Sequence, residues 1–322
     1  MRKIVILNDY GAFMPESFIN AVKGEFVLET LSLDVSEDVR LQSITEAEII
    51  IGEPTVEELE NAKNLRWLQM TWAGIDRYCH GGFPKDVLLT NASGAFGQTI
   101  AEHALGMLLA LCRRLGVYAK TNQWKDLGSE IFVSGSSAMI FGTGDIGSNI
   151  AKRLKAFDVN MIGVCRNTDR QIPGFDRLIS LEEAENYLPE ADFILCAMPE
   201  TTETREYLNA RRFEKIKDGA ILVNVGRGSF VDTQALCEAL TRGKLFAAGL
   251  DVVHPEPLPQ DHLLWSMENV LITPHVAGIG FGHLPGTAKK IWEICTENLL
   301  RYKRGEPLRN LADITSSGGA AL

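Results

Sequence analysis

The sequence predicts an α/β protein made of two doubly wound domains, each on a parallel sheet. Three observations carry this. The 322 residues exceed the ~250–300 at which a single core stops growing. Short apolar runs rich in Val, Ile and Leu alternate with segments of helical spacing, the pattern of strands covered by helices on both faces. One strand–helix junction carries G-x-G-x-x-G, at Gly142, Gly144 and Gly147.

The N-terminal hundred residues supply five runs: KIVIL (3–7), FVLETL (26–31), EIIIG (48–52), LRWLQM (65–70) and VLLT (87–90). These read as the strands of a smaller domain. A buried helix, QTIAEHALGMLLALCRRL (98–115), leads into the larger one. There AMIF (138–141), MIGVC (161–165), FILCA (193–197), AILVNV (220–225), AAGLDVV (247–253) and VLIT (270–273) read as six strands. Between the first two, Ile146, Ile150, Leu154 and Phe157 recur at helical spacing. Ahead of the fifth, Asp232 is placed to cap a helix that Gly243 stops. A last helix (287–307) follows the final strand and is expected to pack back on the N-terminal domain. The expected boundaries are 1–97 together with 285–322 for the smaller, substrate domain and 98–284 for the dinucleotide-binding domain. The end, TSSGGAAL (315–322), shows no core-forming pattern and reads as a loose tail.

Bulk properties exclude several classes of function. A formal charge of -10 argues against nucleic acid, whose phosphates are held by net positive surface. The first apolar run stops at Asn8 and Asp9, too early for a signal-peptide core. The longest, ALGMLLALC (104–112), is far short of the ~20 residues that span a bilayer. Six scattered cysteines show no C-x-x-C pair and no metal-ligand spacing, and Cys79-His80 alone makes no metal site. No metal and no membrane partner are expected, and reduced thiols place the chain in the cytoplasm.

The glycine loop needs its residues for physical reasons. The first glycine makes the tight turn, the second admits a pyrophosphate to the backbone, and the third lets helix and strand pack closely. The helix start offers free N–H groups and partial positive charge to the phosphates. Ligands in such sheets bind beyond the carboxyl ends of the strands. Three polar residues stand there: Arg227 after AILVNV, Glu256 after AAGLDVV and His275 after VLIT. Taken singly, each is an ordinary turn or loop residue. Taken together they suit reduction of a 2-oxo acid. A guanidinium grips a carboxylate and polarises a neighbouring carbonyl. A histidine delivers the proton, and a carboxylate beside it holds the ring and favours its charged form.

At these residues the sequence resembles the D-isomer-specific 2-hydroxyacid dehydrogenases, nearest in style to their glyoxylate/hydroxypyruvate reductase branch. The resemblance runs through WAGID (72–76), AEHALGMLLAL (101–111), GTGDIG, MPETTETREYLN (198–209), VNVGRGSFVD, GLDVVHPEPLP and ITPHVAG. It implies two Rossmann-like domains with the active site in the interdomain cleft, and a homodimer made through the segment around 100–135. By motif it assigns Arg227 to the substrate carboxylate and carbonyl, His275 to acid/base work and Glu256 to its partner. Ala73 and Gly74 would hold the carboxylate through backbone N–H groups, while Trp72 and Phe281 are candidates for shaping the pocket. Asp251 and Gly278 would orient the nicotinamide amide, and Asp145, Ile146, Pro199, Thr204, Val225 and Gly226 would line the cofactor groove. The loop after His275 departs from the family, with Ile279 and Gly280 where threonine is common. Glutamate rather than glutamine at position 256 argues against formate as substrate. The family also contains corepressor-like scaffolds that sense the dinucleotide, so that role stands as the alternative.

One position points to the kind of cofactor. In NAD-binding members of this fold an acid at the end of the second strand meets the adenine ribose. Here Cys165 stands in that place, followed by Arg166, Asn167 and Thr168. An arginine there is placed to meet a 2′-phosphate, so NADP(H) is the expected cofactor, with NAD(H) second.

Overall fold

The computed structural model describes residues 2–8, 10–79, 81–278 and 285–312. Two compact units are present, one of residues 1–96 with 279–322 and one of residues 97–278.

In the first unit, β1 (Arg2–Ile6), β2 (Phe26–Thr30), β3 (Ile49–Ile51), β4 (Trp67–Gln69) and β5 (Leu88–Thr90) form a parallel sheet in the order β2-β1-β3-β4-β5. All five runs read from the sequence are strands. Their alternate residues divide between two faces, and Val5, Ile50, Leu68 and Leu89 join one buried cluster. The helix Pro285–Arg304 packs against the helix Glu16–Val22, with Trp292 and Phe18 ring centroids 4.9 Å apart. A buried polar network ties it to the sheet. Asn298 Nδ2 donates to Gln69 Oε1 at 2.8 Å, and Thr90 Oγ1 donates to the same oxygen at 2.8 Å. Paired in this way, these polar groups avoid the cost of buried unsatisfied donors.

In the second unit, seven parallel strands run in the order β12-β11-β10-β9-β6-β7-β8. They are β6 (Ser137–Phe141), β7 (Asn160–Val164), β8 (Arg177–Ile179), β9 (Phe193–Cys196), β10 (Ala220–Asn224), β11 (Leu245–Leu250) and β12 (Val270–Ile272). The sheet thus has one strand more than the sequence predicts. β8 is a three-residue edge strand, too short to carry a periodic signal. Met139 and Phe141 face one buried cluster and Ala138 and Ile140 the other, as a sheet covered on both sides requires. The helix Gly97–Cys112 ends before the expected 115, because Arg114 takes φ 52° and breaks the run ahead of a short turn, Leu115–Tyr118. Asp232 caps the helix Thr233–Thr241 through Ala235 N–H at 3.1 Å, and Gly243 follows with φ 72°, as its sequence implies.

Among the described residues, no helix is long and apolar enough to cross a membrane, and no group of three or more His, Cys, Asp or Glu side chains could hold a metal ion.

Candidate active site

Strand order decides what the carboxyl ends share. β6 lies between β7 and β9, so the chain leaves β6 toward one side and returns on the other, which opens a crevice at the glycine loop. Gly142 takes φ 98°, and a Cβ there would lie 2.7 Å from the carbonyl oxygen of Ala197, beyond the end of β9. Only glycine permits that approach. Gly144 is the N-cap of the helix Asp145–Leu154, with no side-chain cap and open space where a Cβ would stand. The first N–H groups of that helix are therefore left for an incoming anion, which fits a pyrophosphate. The carboxylate of Asp145 is turned to structure: it accepts from Gly97 N–H at 2.7 Å and Asn149 Nδ2 at 3.1 Å. Ile146 is half-buried beside it.

Past β7, Cys165 is partly buried and its thiol donates to the carbonyl of Asn167 at 3.2 Å. Arg166, Asn167 and Thr168 are exposed. Among the described residues no carboxylate forms an ion pair with Arg166. Past β9, Thr204 is buried and donates to the Pro199 carbonyl at 3.0 Å while accepting from Thr201 N–H at 2.8 Å, so its hydroxyl fixes the 199–204 turn.

Past β10, Val225 and Gly226 are buried and Arg227 is half-buried, its Nη1 donating to the Gly226 carbonyl at 2.9 Å. Two close backbone approaches hold this turn. A Cβ on Gly226 would lie 2.7 Å from the Met198 carbonyl oxygen, and one on Gly228 would overlap the Val253 carbonyl. Asn224 braces the same turn: its Oδ1 accepts from Gly226 N–H at 3.1 Å and its Nδ2 donates to the Arg227 carbonyl at 2.9 Å. Sequence reasoning missed Asn224. The signal was present, since an amide inside the apolar run AILVNV must find partners when buried.

Past β11 and β12 the chain brings Glu256 and His275 together, His275 Nδ1 lying 2.7 Å from Glu256 Oε1. An ionised carboxylate only accepts, so Nδ1 carries the proton and Nε2 is left for other chemistry. His275 itself takes φ 55°, an uncommon backbone for a non-glycine residue. Asp251, only 3% exposed, accepts from Val276 N–H at 2.9 Å and Ala277 N–H at 3.1 Å, so its carboxylate shapes the loop on which His275 stands. Gly278 is the last residue described in this loop, and Phe281, with Ile279 and Gly280, lies outside the described residues.

In the other unit, Trp72, Ala73 and Gly74 follow β4. Trp72 is 42% exposed and stacks on Phe96 at 6.4 Å. The Ala73 carbonyl accepts from Asn91 Nδ2 at 2.9 Å. The turn begins at Thr71, which donates through N–H (2.7 Å) and hydroxyl (2.9 Å) to the buried carboxyl of Glu53. Burial pushes that carboxyl above the usual glutamate range even though Thr71 and Tyr10 hydrogen-bond to it.

A family model, "D-isomer specific 2-hydroxyacid dehydrogenase, NAD binding domain", matches residues 105–277. The chain belongs to that family. It is 30% identical over 315 residues to a glyoxylate reductase of Pyrococcus horikoshii, covering 91% of this chain and 91% of that one. A crystal structure of a D-isomer specific 2-hydroxyacid dehydrogenase family protein from Aeromonas salmonicida is 34% identical. It aligns with a TM-score of 0.85 over 97% of this chain and 99% of that one. A family member from Xanthobacter autotrophicus, solved with NADPH and MES, is 26% identical with a TM-score of 0.79 over 98% of both chains. Family membership makes the chain an oxidoreductase that works with a nicotinamide dinucleotide.

Proposed function

We propose that the chain reduces small 2-oxo acids, such as glyoxylate or hydroxypyruvate, to D-2-hydroxy acids and prefers NADPH to NADH. The hydrogen bond between His275 and Glu256 carries this reading. It supplies an oriented proton donor two strands across the sheet from Arg227, the side chain suited to a carboxylate beside a carbonyl.

A bound nicotinamide would supply the hydride for the carbonyl carbon. Gly142, Gly144 and the start of the helix Asp145–Leu154 would hold its pyrophosphate, with Gly147 inside that helix allowing its close packing on the loop. Arg227 binds the substrate carboxylate and draws charge onto the carbonyl oxygen. His275 Nε2 then gives its proton to that oxygen while Glu256 stabilises the charged ring before transfer. The exposed Arg166, Asn167 and Thr168 after β7, with Cys165 in place of an acid, support recognition of a 2′-phosphate. That the Xanthobacter relative was solved in complex with NADPH supports that preference.

The reading includes a second copy of the chain as partner. Leu115 is 55% exposed, Phe132 78% and Trp124 fully, a group of apolar side chains on the 97–278 unit that a homodimer would cover. All six cysteines are free, which fits the cytoplasm. The likeness to a glyoxylate reductase over nearly the whole chain favours an enzyme over a dinucleotide-sensing scaffold.

The test is oxidation of NADPH and NADH by the purified protein across a panel of 2-oxo acids, with His275→Ala beside it. Turnover of at least one small 2-oxo acid, lowered roughly 10²–10⁴-fold in the variant, is expected for loss of a general acid. No turnover with any 2-oxo acid, or an unimpaired variant, overturns the reading.

A further inference from the structure

His103 sits on the helix Gly97–Cys112, far in sequence from the acid/base pair, yet its Nε2 lies 3.0 Å from Thr273 Oγ1. Thr273 is two residues before His275, and its hydroxyl donates to Asp251 Oδ1 at 2.6 Å. A threonine hydroxyl has one proton. The carboxylate of Asp251 can only accept, so that proton is directed to Asp251, and the contact with His103 holds only if Nε2–H is the donor. The order of donation is therefore settled: His103 Nε2–H to Thr273, Thr273 O–H to Asp251, and Asp251 in turn receiving Val276 and Ala277 N–H.

This chain encloses His275. Its backbone N–H donates to the carbonyls of Asp251 (2.8 Å) and Thr273 (3.0 Å), so side chain and main chain of Asp251 grip the loop on both sides of a residue held at φ 55°. Such a backbone costs free energy and persists where its surroundings over-determine it. The Asp251 carboxylate is 3% exposed and, among the described residues, has no lysine or arginine in an ion pair. Its buried charge is met by the donors named above, with His103 Nε2 at 3.7 Å as the nearest side chain that can carry a positive charge. Removing a donor from a buried carboxylate is more costly than removing an ordinary hydrogen bond.

We infer that His103 is a positioning residue for catalysis: acting through Thr273 and Asp251, it fixes the orientation of the loop that aims His275. The inference rests on the reading of His275 as the acid/base group. His103 acts through Thr273 and Asp251 rather than on the substrate, and its effect falls on kcat rather than on KM.

Kinetics of His103→Leu, His103→Gln, Thr273→Val and the double variant His103→Leu/Thr273→Val provide the test, with NADPH affinity and Tm measured for each. Leucine removes the donor, while the glutamine amide reaches about as far as Nε2 and restores it. A misaimed catalytic group costs up to ~10²-fold, so His103→Leu should lose roughly 10–100-fold in kcat with KM little changed. His103→Gln should recover most of the loss. The double variant should lose about as much as Thr273→Val alone, because both substitutions break one chain. A wild-type kcat in His103→Leu, a glutamine variant as poor as leucine, or losses that multiply in the double variant would overturn the inference. Should His103→Leu not fold, Thr273→Val against Thr273→Ser decides the same point, serine keeping the hydroxyl. His275→Ala assayed in parallel separates the two readings. If it stays active, the function proposed above fails; if it is inactive while His103→Leu is normal, only the role of His103 fails.

Discussion

Glu256 Oε1 lies 2.7 Å from Nδ1 of His275, although one residue follows β11 and the other β12. The two side chains are 43% and 47% exposed, so the contact is partly screened by water and acts chiefly through orientation and local charge.

Glu256→Gln keeps a hydrogen-bonding side chain and deletes the negative charge. A carboxylate holds the Nδ1–H of the ring by a charge-assisted hydrogen bond, worth ~1.5–3 kcal/mol against ~0.5–1.5 for the neutral amide. The variant should therefore lose about 10-fold in kcat/KM. Steady-state kinetics check it, and an unchanged kcat/KM would separate Glu256 from the chemistry.

Arg227→Lys retains the charge and should still be severe. A lysine ammonium is a point donor, whereas a guanidinium offers two parallel N–H groups to a carboxylate. Loss of one to two charged hydrogen bonds, at ~1.5–3 kcal/mol each, lowers kcat/KM by at least ~10-fold. Steady-state kinetics within a few-fold of wild type would remove Arg227 from the substrate.

Cofactor choice should reverse in Cys165→Asp with Arg166→Ala. The aspartate restores an acceptor for ribose hydroxyls and repels a 2′-phosphate, and the alanine removes the arginine placed to meet that phosphate. A charged hydrogen bond of ~1.5–3 kcal/mol corresponds to ~10–150-fold in preference. The ratio of kcat/KM for NADPH and NADH measures it. Equal use of both cofactors by the wild type, or an unchanged ratio in the variant, contradicts the assignment.

Glu53→Gln should alter how stability depends on pH. The folded protein holds the Glu53 carboxyl above its ordinary range, so the native state binds more protons than the unfolded chain within that window. Wild-type stability attributable to Glu53 is thus present at low pH and lost as pH rises through the unfolded and then the folded value. Glutamine does not titrate. The Tm of the variant relative to wild type should climb as pH rises above the ordinary glutamate range. A flat difference would mean that Glu53 ionises in the fold as freely as in the unfolded chain.

The strands were legible because their signal is local. KIVIL, EIIIG, AILVNV and VLIT each state a continuous apolar face within a few residues, and the glycine loop states a turn in six. β8 was not legible, since RLI is too brief and only β7 beside it makes it a strand. The carboxyl-end residues Arg227, Glu256 and His275 could be singled out because a strand's end is visible in the sequence and ligands gather there. Asp145, Thr204 and Asp251 were legible as positions. The hydrogen bonds that occupy their side chains were not.

From the sequence alone came the alternation of strand and helix, the phosphate-binding turn and a short roster of polar residues at strand ends. Tertiary structure decided their company. The order β12-β11-β10-β9-β6-β7-β8 makes neighbours of strand ends that are remote in the chain, and it puts His103 beside Thr273 across 170 positions. Apolar periodicity is a property of consecutive residues and survives in one dimension. A hydrogen bond needs two atoms within about 3 Å at a permitted angle, and for residues so far apart only the assembled sheet, with helix Gly97–Cys112 packed on β10, β11 and β12, brings that about.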